Sequence, residues 1–161
     1  MKVALIMGSK SDLIKVEPAI TLLKQFDVSV DVRCFSAHRT PEELVDFVKQ
    51  ANDNGTEVII AAAGMAAALP GVVASKTVLP VIGLPISGST LDGMDALLSM
   101  VQMPPGIPVA TVAINGSKNA AYLALQIIAN KHEQVKEKLL KDREEMKNAV
   151  LMANEEISKS Y

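Results

Sequence analysis

Two short stretches of this chain carry residue types suited to handling a small phosphorylated metabolite. The first is Ser36-Ala37-His38-Arg39-Thr40-Pro41. Histidine is the side chain best matched to proton transfer near neutral pH, and arginine offers phosphate or carboxylate a planar donor fork. The second is Gly8-Ser9-Lys10-Ser11-Asp12. Its glycine lets the backbone turn tightly. Hydroxyls and N–H groups at a helix start hold phosphate, and a carboxylate accepts from ribose hydroxyls. The plainer alternatives are a surface His-Arg pair without a role and an ordinary Ser/Asp helix cap. The glycine spacing is neither that of a Walker loop nor that of the dinucleotide fingerprint. No Gly-x-Ser-x-Gly elbow and no metal-ligand spacing occurs in the sequence, so metal-free acid–base chemistry is the economical reading. His132, between Lys131 and Glu133, reads as solvated.

Both stretches follow apolar runs, and five such runs read as buried parallel strands: about 2–7, 28–35, 57–63, 80–84 and 107–114. Each is rich in Val and Ile without clean alternation, as expected when both faces of a sheet are covered. Segments of helical pattern lie between them. Alternating strand and helix predicts βαβ units, right-handed crossovers and a doubly wound sheet. Ligands of such sheets bind beyond the carboxyl ends of the strands, which is where the two stretches fall. Thr40-Pro41-Glu42-Glu43 reads as N-cap, first-turn proline and a capping box. Pro18 is expected to kink the first helix or delay its start. Small side chains in the segment after strand three, Ala61 to Gly71, would let a backbone approach a ligand or a helix pack closely. The segments Ser87–Gly93 and Gln102–Gly106 read as loops.

The chain of 161 residues, 49% hydrophobic and 21% charged, suits one packed domain, residues 1–161. A net charge of −2 and few aromatics argue against a nucleic-acid or anionic-membrane partner. The apolar start is too short for a signal peptide or membrane span, so a cytoplasmic protein is the default. The lone Cys34 excludes an internal disulfide and reads as a small buried hydrophobe. The body ends near residue 130. From about 131 to 159, Val135, Leu139, Met146, Val150, Ala153 and Ile157 mark an amphipathic helix. With no sixth strand to cover, this helix is expected to pack on a neighbouring subunit.

Taken in order, Met7-Gly8-Ser9-Lys10-Ser11-Asp12, Ser36-Ala37-His38-Arg39-Thr40-Pro41, Leu69-Pro70-Gly71 and Ser99-Met100-Val101-Gln102-Met103-Pro104 resemble the bacterial N5-carboxyaminoimidazole ribonucleotide mutases of purine biosynthesis (the PurE family, class I). The likeness runs from Lys2 to about Ala129. It implies an α/β, three-layer flavodoxin-like (Rossmann-like) parallel sheet of about five strands with a long C-terminal helix. It also implies a cytoplasmic homo-octamer and an isomerase of IMP biosynthesis that uses no metal or cofactor. Residue by residue, it implies His38 as the general acid–base, Ser9 and Asp12 as substrate-binding with Asp12 on the ribose, and Arg39 on the phosphate. Ser11, Ser36 and Gly64 match positions lining the pocket, and Gly8, Ala37 and Leu69 complete the implied substrate contacts.

The family usually reads Gly-Gly-Ala-Ala-His-Leu-Pro-Gly where this chain has Gly64-Met65-Ala66-Ala67-Ala68-Leu69-Pro70-Gly71. If the family's second glycine needs positive φ, Met65 strains the loop. Asn115-Gly116-Ser117-Lys118-Asn119 departs from the family's Gly-Lys-Ala-Gly pattern as well. Three alternatives to the mutase stand. One is the related carboxylase that fixes free CO2, which usually has Lys and Gly in place of Arg39 and Thr40. Another is a diverged relative that binds a nucleotide without turnover. The last is a scaffold built through the tail helix.

Overall fold

The computed structural model describes residues 1–88 and 90–161; Ser89, within the expected Ser87–Gly93 loop, lies outside the described residues. Strands β1 (Lys2–Met7), β2 (Ser29–Cys34), β3 (Val58–Gly64), β4 (Val81–Ile86) and β5 (Ala110–Thr111) form one all-parallel sheet in the order β2-β1-β3-β4-β5. Helices α1 (Leu13–Gln25), α2 (Pro41–Asp53), α3 (Leu69–Ala74), α4 (Met94–Val101), α5 (Ser117–Ala129) and α6 (Glu133–Ser160) complete the chain.

Side chains alternate across a strand, and here both sets are apolar. Leu5, Ile60 and Leu84 belong to a core shared with α1 and α5. Ile6, Ile59 and Val81 belong to a second core shared with α2, α3 and α4. Each fully buried Leu or Ile is worth about 2 kcal/mol, so each helical layer is fastened by its own row of strand residues. The result is the three-layer flavodoxin-like arrangement. The close fit has a local signature at Gly83 on β4. A β-carbon there would lie 2.8 Å from Val109 Cγ1 and 3.2 Å from Met100 Sδ. Only glycine lets those two side chains close over the strand.

Strand β1 has β2 on one side and β3 on the other. The chain therefore leaves β1 in one direction and later passes it in the other, which opens a crevice at the carboxyl ends of β1 and β3. The loops after β1, β2 and β3 meet there.

Several expectations are corrected by the structure. Pro18 does not delay helix α1, which starts at Leu13 and runs through the proline. The proline lacks the N–H that would reach the Ile14 carbonyl, and the helix tolerates that one loss because Val16, Ala19, Leu22 and Leu23 anchor it to the core. Cys34 is exposed, because it ends the edge strand β2, whose outer positions have no covering layer. Residues 107–114 give only a two-residue strand, paired to Ile82 and Gly83. His132 is tied down rather than solvated: its Nε2 lies 2.9 Å from Glu57 Oε2, and the imidazole is 28% exposed.

Helix α6 divides in two. Val135 and Leu139 are buried against the chain's own body, and the Tyr122 hydroxyl of α5 donates to Asp142 Oδ2 at 2.8 Å. Burial first, and then the neighbouring Asp142, push the Tyr122 phenol above its ordinary range. From Arg143 to Tyr161 every residue is exposed, including Met146, Val150, Ala153 and Ile157. Among the described residues no helix is long and apolar enough to cross a membrane.

Candidate active site

The crevice holds a cavity of about 670 Å³, a size suited to a small metabolite. Every candidate residue from the sequence lines it. Gly8, Ser9, Ser11 and Asp12 come from the loop after β1. Ser36, Ala37, His38 and Arg39 come from the loop after β2. Gly64 and Leu69 come from the turn after β3, with Ala63, Ala66, Ala67 and Ala68 forming a wall of small side chains.

The first loop is a single 3₁₀ turn over Lys10–Asp12 that leads into α1. Ser9 caps it: its Oγ accepts from the Ser11 N–H at 3.3 Å and from the Ser11 hydroxyl at 2.9 Å. The local capping role and a ligand-binding role are compatible here, because the same turn brings both hydroxyls to the cavity. Asp12 is half-buried. Burial raises its carboxyl above the ordinary value of 3.8, opposed by the Ser9 backbone, the Ser11 hydroxyl and the charge of Lys15.

The second loop is stitched from inside. Thr40 is the residue preceding α2 and Pro41 opens the helix, but the Thr40 side chain makes no capping bond to the helix. The expected capping box is thus absent. The Thr40 hydroxyl instead turns back on its own loop, accepting from the Ser36 N–H at 2.9 Å and donating to the Ser36 carbonyl at 3.2 Å. The Thr40 N–H adds a bond of 2.9 Å to that carbonyl. Ala37, His38 and Arg39 are therefore held in a closed ring of hydrogen bonds. Arg39 bridges two loops: Nε donates to Ser36 Oγ at 3.4 Å and Nη2 to the Gly8 carbonyl at 3.3 Å. Arg39 also lines the cavity. His38 is exposed to solvent on the cavity wall.

The third loop carries strain. Met65 has φ 57° and Ala67 has φ 31°. This is the left-handed region that favours glycine. The conditional expectation for Met65 is thereby met, and its side chain is 67% exposed at the cavity.

Lys15, Ile86, Ser87 and Gly88 line the wall and were not singled out from the sequence as part of the site. Lys15 stands one helical turn after Asp12, a spacing that could have flagged it as a partner. Its Nζ donates to the Ser87 carbonyl, and also to Ser87 Oγ at 3.2 Å. Ser87 and Gly88, after β4, close that side of the cavity. The Gln102–Gly106 segment does not line it; Met103 lies beside Gly71 of α3. Among the described residues no group of three His, Cys, Asp or Glu side chains is arranged to hold a metal ion.

The model of the AIR carboxylase family matches residues 2–149 of this chain. A Pyrococcus abyssi protein named N5-carboxyaminoimidazole ribonucleotide mutase is 56% identical over 146 residues, covering 91% of this chain and 84% of that one. A Schizosaccharomyces pombe protein named phosphoribosylaminoimidazole carboxylase is 48% identical over 157 residues, covering 98% of this chain and 28% of that one. Among solved structures, Treponema denticola PurE superposes with a TM-score of 0.86 at 29% identity, with 94% of each chain covered.

Proposed function

The chain belongs to the AIR carboxylase family, and from that premise we propose that it is an N5-carboxyaminoimidazole ribonucleotide mutase. It is then an isomerase of purine biosynthesis, moving a carboxylate from the exocyclic nitrogen to the adjacent imidazole carbon of one ribonucleotide. The observation that carries this reading is the placement of His38 and Arg39 on a hydrogen-bonded ring facing the Ser9–Asp12 turn across one cavity.

The chemistry follows from these groups. The N-carboxylate is a carbamate, and its C–N bond breaks when a proton reaches the nitrogen. His38 as imidazolium delivers that proton and becomes neutral, and CO2 is released into the site. The imidazole carbon then forms its bond to the CO2 carbon. Neutral His38 takes the proton from the same ring carbon, so one side chain serves twice and ends as it began. Arg39 holds the phosphate and Asp12 the ribose hydroxyls, with Ser9, Ser11 and Ser36 as further hydrogen-bond partners. Gly8, Ala37, Gly64 and Leu69 shape the pocket walls. No redox or group-carrying cofactor enters this sequence of steps.

Retaining CO2 requires that water be kept out. The alanine wall suits that task on one side. His38 is exposed in the single chain, so the remaining cover comes from the bound nucleotide and from a neighbouring subunit. We read the exposed stripe of α6 as the surface that docks on such a neighbour in a cytoplasmic homo-octamer. The carboxylase reading, which matches the printed name of some relatives, is disfavoured by Arg39 and Thr40. The reading as a non-catalytic binder draws its support from Met65 and Ala68, which stand where the family pattern has glycine and histidine.

The test is conversion of freshly made N5-carboxyaminoimidazole ribonucleotide, followed by ultraviolet absorbance without ATP or metal. Rapid formation of the carbon-carboxylated product, lost in His38→Asn by about a hundredfold or more, is the expected result. A folded wild type that binds the nucleotide and leaves it unchanged would sink the mutase reading.

A further inference from the structure

Hydrogen-bond accounting at Ser87 leaves its hydroxyl only one role. The Lys15 ammonium has no lone pair, so at 3.2 Å from Ser87 Oγ it can only donate. Asn115 reaches the same oxygen from the loop after β5. Its orientation is fixed, because its Oδ1 accepts from the Ser87 N–H at 3.1 Å, and a backbone N–H cannot accept. The other end of the amide, Nδ2, therefore donates to Ser87 Oγ at 2.7 Å. A serine hydroxyl has one proton and two acceptor positions, and here both acceptor positions are taken. The proton must go to a third partner, and Ser87 lines the cavity.

We propose that Ser87 is a substrate-binding residue whose hydroxyl donates to an anionic oxygen of the ribonucleotide, with Lys15 and Asn115 as the positioning residues that force it to donate. This rests on the mutase reading for the identity of the ligand and on the geometry alone for the direction of the bond. Such a bond to a charged acceptor is stronger than a neutral one. The adjacent ammonium, which also holds the Ser87 carbonyl, polarises the hydroxyl further. The anchoring comes from two separate elements, α1 and the turn before α5. Asn115 itself has φ 57°, a conformation that asparagine adopts more readily than most residues.

The ribonucleotide offers two kinds of anionic oxygen, its phosphate and its carboxylate, and the experiment separates them. Dissociation constants are measured for the wild type, Ser87→Ala, Ser87→Thr, Lys15→Met and the double variant Ser87→Ala with Lys15→Met. The ligands are 4-carboxy-5-aminoimidazole ribonucleotide, its uncarboxylated counterpart, and ribose 5-phosphate. Ser87→Ala should weaken binding about tenfold, with Ser87→Thr close to the wild type. A loss confined to the carboxylated ligand assigns the bond to the carboxylate. An equal loss on all three assigns it to the phosphate. Lys15→Met should cost little more once Ser87 is alanine, because it acts through that hydroxyl. Unchanged affinity of Ser87→Ala for all three ligands overturns the proposal. Fully additive losses in the double variant overturn the positioning role of Lys15. A wild type that binds neither nucleotide removes the mutase reading itself, and this inference with it.

Discussion

The loops after β2 and β3 line the same cavity and are held in opposite ways. Residues 36–40 form a ring of three hydrogen bonds between Ser36 and Thr40, with Arg39 strapped to the neighbouring loop through the Gly8 carbonyl. Residues 64–68 have one turn bond, from the Ala67 N–H to the Gly64 carbonyl at 3.2 Å, and two non-glycine residues at positive φ. In the proposed mechanism the first loop carries His38, the group that must meet a reacting atom within a fraction of an ångström. The second carries only small side chains and one long, exposed methionine. On that reading, fixed geometry falls where the proton would move, and tolerated strain where the wall merely has to be thin.

That contrast can be broken most severely at Thr40. Thr40→Val keeps the shape of the side chain and removes both of its bonds to Ser36. Catalytic turnover should fall about tenfold or more, because small displacements of reacting groups cost large factors. Thermal stability should fall by only about 1 kcal/mol. Full activity in a correctly folded Thr40→Val would show that the ring does not position His38.

Strain in the opposite loop is tested at Met65. A non-glycine residue in the left-handed region costs about 1 kcal/mol, while a glycine adds freedom to the unfolded chain that offsets part of the relief. Met65→Gly should therefore raise stability by about 0.5 kcal/mol in denaturant unfolding. Ala68→Gly should lower it, because Ala68 sits at φ −66° and gains nothing from glycine. Equal signs for the two changes would contradict the strain assignment.

The smallest expected effect sharpens the comparison with the Ser9–Asp12 turn, where the balance is electrostatic. Burial raises the Asp12 carboxyl in the folded chain above its ordinary 3.8. The folded state thus holds that proton more tightly than the unfolded one. The stability this gives is fully present below 3.8 and is lost as pH rises through the higher folded value. Asp12→Asn has no such loss. Measured as Tm from pH 3.5 to 7, the variant should gain on the wild type as pH rises through this window and then hold a small constant lead. A lead that grows as pH falls would mean that the folded state holds the Asp12 proton less tightly than the unfolded one.

Much of this site was legible in the sequence because its residues sit in short contiguous runs directly after strands. The apolar runs at 2–7 and 57–63 place the ends of β1 and β3 to within a residue, and the turn chemistry that follows is local. The bonding around Thr40 was not legible. A Thr-Pro-Glu-Glu run fits a capping box equally well, and only the fold decides that the hydroxyl prefers Ser36. Lys15, Ser87 and Asn115 lie far apart in the chain and come together only when β4 stands between β3 and β5. Cys34 and His132 were misread for a related reason. Burial at an edge strand, and a hydrogen bond between Glu57 and a residue 75 positions away, depend on which elements become neighbours.

The brevity of β5 bears on how copies of this chain can associate. The two borders of a parallel sheet present unpaired backbone groups that invite another strand. On one border, β5 offers only two residues, too short a template for a stable added strand. On the other, β2 places Asp31 and Arg33 in an ion pair at 3.0 Å, with Lys2 of β1 3.5 Å from Asp31. Charges on an edge strand deter strand addition. Continuous sheets running from one molecule to the next, the geometry of fibres and amorphous clumping, are thereby discouraged at both ends.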